Sequence, residues 1–186
     1  MLDVRALNVG DTVCAFIRHG EKANRHFGLT EDGKMEIERF GRLVSALHKP
    51  VRLYASPESR CVETAVLMGR AIHGSVSDIK TSTILGKPGV QVKDEEKYLL
   101  LTDHMRCRDI FREWKIGLHK DAMQTAAFIK TETLRFLHET CLQHGITLYI
   151  SQSGTIACAG YSLSLTDYAS DDNDWVPFLD GFVLEL

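Results

Sequence analysis

Twice within the first 73 residues a short run of strand-forming apolar side chains stops abruptly at polar residues and gives way to a helix-spaced stretch. This repeated strand-turn-helix unit limits the fold more than any other feature. Residues 13–17 are apolar throughout and end in Arg18-His19-Gly20. A run without polar alternation is what a central strand covered on both faces requires. Thr30 then stands as a candidate N-cap for a helix carrying Met35, Ile37, Phe40, Leu43, Val44 and Leu47 on its inward side and ending before Pro50. Residues 52–55 read as a second strand, and Ser56-Pro57 starts a second helix through Cys61, Ala65, Leu67 and Met68 to about His73.

The remainder continues the alternation. Residues 81–85 are expected as a third strand, and Gly86, Pro88 and Gly89 mark a loop after it. Helices are expected over 102–114 and 121–144, the second carrying Met123, Ala127, Phe128, Leu134, Phe136 and Leu137 and closed by Gly145. Residues 146–150 form a buried strand, Ser153-Gly154 opens a helix toward Leu163, and residues 182–186 supply a last strand. Strands alternating with helices predict an α/β fold, a three-layer α/β/α sandwich around a mostly parallel central sheet. No linker, repeat or low-complexity stretch interrupts residues 1–186, which are read as a single domain.

Composition narrows the possible partners. A formal net charge of −3 and a sequence pI near 6.2 leave no general basic field, so neither nucleic acid nor a membrane surface is an expected partner. Attraction for an anion has to be local, which favours a small pocket. The five cysteines are scattered and odd in number, without a metal-ligand spacing. They are expected to be reduced and mostly buried, with no metal or cofactor. The apolar run before Arg18 is too short for a signal or spanning segment, so the cytoplasm is the expected compartment.

Three motifs carry the chemistry. Arg18-His19-Gly20 ends a strand, Leu29-Thr30-Glu31-Asp32-Gly33 starts a helix, and Ser56-Pro57-Glu58-Ser59-Arg60-Cys61-Val62-Glu63-Thr64-Ala65 follows the second strand. In this order they resemble the RHG, LTxxG and SPxxRCxETA blocks of the histidine phosphatase superfamily, which includes phosphoglycerate mutases and acid phosphatases. The resemblance implies a phosphoglycerate mutase-like fold and a pocket centred on Arg18, His19 and Arg60. Phosphoryl transfer is chiefly a matter of positioning and of balancing charge on the equatorial oxygens, work suited to guanidinium groups that grip two oxygens at once. A histidine attacks phosphorus only through an unprotonated nitrogen, and neighbouring arginines depress its pKa. The resemblance further implies a phosphohistidine at His19 that water later hydrolyses. Gly20 lets the backbone approach the phosphate closely.

The back of the pocket departs from that pattern. Where relatives carry a second histidine this chain has Gln152, and Ser153 stands where one branch has an aspartate. A glutamine amide donates a hydrogen bond to a phosphate oxygen but brings no charge and shuttles no proton. In mutase-type relatives the general acid follows the third strand, which makes Asp94 the candidate, although the run Asp94-Glu95-Glu96 also suits a solvated surface. Tyr98, Phe111 and Trp114 are available either to contact an organic group or to fill the core. The expectation is a phosphohydrolase acting on a small phosphorylated or anionic substrate, with His19 and Asp94 catalytic and Arg18, Gly20, Arg60, Gln152 and Ser153 holding the substrate. The alternative is a non-hydrolytic descendant that binds such a ligand, or whose pocket serves non-phosphoryl chemistry. Oligomeric state is left open.

Overall fold

The computed structural model describes residues 1–22, 28–75, 79–169 and 175–186. Its strands are β1 (Thr12–Arg18), β2 (Val51–Ala55), β3 (Lys80–Thr81), β4 (Gly145–Ser151) and β5 (Gly181–Glu185). Its α-helices are α1 (Glu31–Ser45), α2 (Ser59–His73), α3 (Glu95–His104), α4 (Cys107–Lys115), α5 (Ala126–Thr140) and α6 (Ser153–Ser162). The sheet order is β3-β2-β4-β1-β5, with β5 antiparallel on one edge and the other pairings parallel. This is the expected α/β sandwich with a mostly parallel sheet.

The three layers follow from the period of two along each strand. Val13, Ala15 and Ile17 of β1, with Ile146, Leu148 and Ile150 of β4, join Ile37, Phe40, Val44, Ala65 and Met68 of α1 and α2 on one face. Cys14 and Phe16, with Tyr54 and Tyr149, join Ile110, Phe111, Ile129, Phe136 and Ile156 of α4, α5 and α6 on the other. Every residue of β4 is buried, as a strand covered on both sides must be. Phe16 stacks between Tyr149 and Phe182, with ring centroids 5.0 and 4.9 Å away.

Several expectations are corrected. Thr30 caps α1 through the Gly33 N–H as expected, yet Met35 and Leu43 are exposed, because the buried stripe runs through Gly33, Ile37, Phe40, Gly41 and Val44. The third strand is only two residues long, and Thr83–Leu85 turns as a 3-10 helix capped by Ser82. The 102–114 helix is two helices, broken where Met105 and Arg106 are extended. The long helix starts later, at the Thr125 cap, and ends at Thr140. Met123 lies before it, paired with Val92, and Phe128 and Leu134 face outward. Gly145 begins β4 rather than closing that helix. Cys14 of β1 and Cys141, directly after α5, are brought side by side across 127 residues of sequence, a proximity set by packing that spacing could not reveal. Cys61, Cys107 and Cys158 are free, and burial pushes the Cys61 thiol up to about 12 and the Cys158 thiol higher still. Among the described residues no helix is long and apolar enough to cross a membrane.

Candidate active site

Strand register brings the motifs together. Arg18 pairs with Ser151 and Ala55 with Ile150, so β1, β4 and β2 end side by side. The Ser56 N–H donates to the Ile150 carbonyl at 2.9 Å and the His19 N–H to the Ser151 carbonyl at 3.1 Å. Arg18-His19-Gly20, the Ser56-Pro57 turn leading to Arg60, and the Gln152-Ser153 start of α6 therefore share the carboxyl edge of the sheet, where open α/β folds bind ligands.

His19 is only 3% exposed. Its Nδ1 lies 2.8 Å from the Gly20 carbonyl oxygen. A carbonyl can only accept, so Nδ1 carries the proton and Nε2 keeps a free lone pair. Burial above all pushes the imidazole pKa down to about 3. The Gly20 bond works against this, and the positive charges of Arg60, Arg18 and Lys22 add to the depression. Between the unfolded value near 6.5 and the folded value, the unfolded chain binds the extra proton, so stability is present above about pH 6.5 and is lost as pH falls toward 3. Replacing His19 by glutamine is expected to flatten this part of the curve of unfolding free energy against pH, read from urea midpoints between pH 7 and 4. An unaltered slope would mean that His19 titrates alike in the folded and unfolded chains.

The positive charges of both arginines act on the ring. Burial lowers the Arg18 pKa to about 10; the Cys107 side chain offsets part of this, and the like charge of Arg60 adds to it. Arg18 Nη1 donates to the Val176 carbonyl at 2.5 Å, and its guanidinium carbon stands 4.0 Å from the centre of the Phe178 ring. Arg60, in the first turn of α2, has Nη1 at 3.5 Å from Glu58 Oε2. In both arginines the Nε–H is buried and has no hydrogen-bond partner among the described residues. Orphan buried donors are uncommon in folded proteins, and charged ones are costly to keep.

Backbone and second-layer groups complete the edge. The Gly20 N–H donates to Thr64 Oγ1 at 3.1 Å, and that hydroxyl donates to the Arg60 carbonyl at 2.7 Å, tying the loop after β1 to the first turn of α2. A Cβ at Gly20 would come within 2.5 Å of Ile37 Cδ1, so a side chain there would have to displace that of Ile37. Gly86 has φ +136°, and a Cβ on it would lie 2.8 Å from Ser56 Oγ and 3.2 Å from Gln152 Nε2. The Gln152 amide therefore sits beside the β2 turn. Gln152 precedes α6 without capping it through its side chain, which leaves the amide for other use, and Ser153 is the first helical residue, half-buried.

Asp94 caps α3. Its carboxylate accepts the Lys97 N–H as the cap of α3 and pairs with the Lys97 ammonium, and none of these contacts reaches His19, Arg18 or Arg60. Of the aromatic candidates, Tyr98 reaches the first turn of α6: a Cβ at Gly154 would lie 3.5 Å from its hydroxyl. Phe111 and Trp114 are packed in the core. An apolar cavity of about 340 Å³ lined by Trp114, Met123 and Tyr161 contains none of the expected site residues. Among the described residues no cluster of three His, Cys, Asp or Glu could hold a metal ion. Sequence reasoning missed Thr64, Val176 and Phe178. Thr64 lies inside a quoted motif, whereas nothing in the stretch around Phe178 signals contact with residues 160 positions earlier.

Residues 14–82 match the model of the histidine phosphatase superfamily, branch 1. No curated protein matches the sequence. Among solved structures, mycobacterial glucosyl-3-phosphoglycerate phosphatase superposes with a TM-score of 0.54 at 16% identity, covering 82% of this chain and 78% of that one. Phosphoglycerate mutase from Bacillus anthracis superposes with a TM-score of 0.56 at 14% identity, covering 84% of this chain and 82% of that one. At such identities the likeness establishes the fold. The family match carries the pattern of the front half of the site.

Proposed function

We propose, taking the histidine phosphatase superfamily as the family of this chain, that residues 1–186 act as one phosphohydrolase domain on a small phosphorylated metabolite in the cytoplasm. The observation that carries this reading is the pair of buried, partnerless guanidinium donors beside an imidazole held neutral with Nε2 free. A tetrahedral oxyanion would satisfy both donors and stand in reach of the nitrogen. Nε2 of His19 attacks phosphorus, the phosphorus–oxygen ester bond breaks, and the electron pair leaves on the ester oxygen, which takes up a proton from solvent water. Water then attacks the phosphohistidine, releasing phosphate and returning the lone pair to Nε2. Arg18 and Arg60 balance the charge on the equatorial oxygens throughout. The Gln152 amide donates to one of them.

The test is incubation of purified protein with a panel of phosphate monoesters, following phosphate release and acid-labile labelling of the protein. Release above background from at least one ester, with a trapped label, is expected. Because Gln152 brings no charge, turnover should be slow, and Gln152→His should raise it roughly 10- to 100-fold by adding an ionic donor. A fall in turnover with Gln152→His would mean that the amide is itself the adapted group.

That same amide favours a second reading, in which the site binds a phosphorylated ligand or partner without hydrolysing it. Vanadate and phosphate would then raise the melting temperature, because they bind the native state alone. No ester in the panel would be cleaved, and Gln152→His would not create turnover.

A further inference from the structure

The contacts made by Arg18 divide its guanidinium into an engaged part and a free part. Nη1 is spent on the Val176 carbonyl at 2.5 Å, and the flat face is covered by Phe178, whose ring centre is 4.0 Å from the guanidinium carbon. The same ring meets His19, with centroids 5.7 Å apart and planes tilted by 50°. What remains for a ligand is the edge carrying the buried, partnerless Nε–H. Phe178 thus touches both groups that the phosphate reading relies on, from one side. It comes from the opposite end of the chain, in the segment between α6 and β5.

We propose that Phe178 is a positioning residue for the chemistry at His19: its ring, together with the Val176 carbonyl, locks the Arg18 guanidinium with its Nε edge turned to the oxyanion and closes one side of the imidazole to water. The physical basis is twofold. A guanidinium is attracted to an aromatic face while its in-plane donors stay free, so the ring holds the group without competing for the hydrogen bonds that phosphate needs. The carbonyl fixes rotation within the plane. Without this clamp Arg18 would have several rotamers available, and ordering it would be charged against ligand binding.

This inference rests on the phosphate reading of the site, and its test separates the two. Inorganic phosphate and vanadate affinity, by calorimetry, and kcat and KM on any cleaved ester are compared for Phe178→Ala, Phe178→Leu and Phe178→Tyr beside Arg18→Ala. Phe178→Ala is expected to weaken anion binding roughly tenfold and to lower kcat/KM roughly ten- to a hundredfold. Phe178→Tyr should restore both, since it keeps the aromatic face, whereas Phe178→Leu fills much of the same space and should not. Melting temperatures in the absence of anion identify a variant that has merely lost stability. Affinity unchanged in Phe178→Ala while Arg18→Ala loses it, or full rescue by leucine, would overturn the aromatic clamp and leave the phosphate site standing. Affinity unchanged in Arg18→Ala would remove the phosphate site and this inference with it.

Discussion

Replacing His19 by alanine should abolish phosphoenzyme formation and lower ester hydrolysis by about 10⁴-fold or more, a loss on the scale seen when a covalent nucleophile is removed. The size follows from the role. In the proposed reaction His19 supplies the atom that forms the bond to phosphorus, whereas Arg18 and Arg60 are acceptor-free cations and the Gln152 nitrogen is an amide donor. Anion binding should respond differently. The partnerless Nε–H groups of Arg18 and Arg60 remain in the variant, and the substitution removes no charge, because the ring is neutral near pH 7. Vanadate is therefore expected to raise the melting temperature of His19→Ala by nearly as much as that of the wild-type protein. Acid-labile labelling measured by phosphate release after acid treatment, set beside thermal shifts with vanadate, reads the two effects independently. Hydrolysis that persists in His19→Ala would place the nucleophile elsewhere.

The largest expected effect on stability is that of Phe16→Ala, about 3–5 kcal/mol. Phe16 is 1% exposed and stacks between Tyr149 and Phe182, so alanine there leaves a gap walled by two rigid rings on a strand with neighbours on both sides. The site can collapse little, and both the transfer and the cavity contributions are incurred. For a chain of this length such a loss lowers the melting temperature by about 10 °C. Phe128→Ala is the control. This residue of α5 is 44% exposed, and its truncation should cost less than about 1 kcal/mol. Urea titrations of the two variants compare the positions directly. Similar losses at both would contradict the helix orientation described for α5.

How much could be read from the residues varied with how local the relevant interaction was. The Thr30 cap and the apolar runs of β1 and β4 depend on neighbours a few positions away, and each took the expected form, whereas α2 starts at Ser59, two residues past the Ser56-Pro57 pair expected to open it. Helix faces fared less well. Met35 and Leu43 fit a generous apolar stripe, yet the packing of α1 on α2 selected the narrower one that includes Gly33 and Gly41. Against Gly41, a Cβ would come within 2.7 Å of the Ala71 side chain, so the close approach of the two helices, and not hydropathy, decided which residues were covered. The segment between Gly86 and Lys120 was hardest to read because α3 buries none of its residues fully and its sequence shows little periodicity.

The order of types along the chain was enough to set the α/β class, the sheet edge at which polar groups gather and the three blocks that resemble a known family, because backbone hydrogen bonding and periodic burial act over short spans of sequence. Strand register and the return of the last segment to the sheet were settled only by the folded molecule. They set Ser151 opposite Arg18, brought Cys14 beside Cys141 and laid Phe178 across Arg18 and His19. Contacts of that kind depend on how separate elements pack against one another, and that packing leaves no periodic trace in either partner.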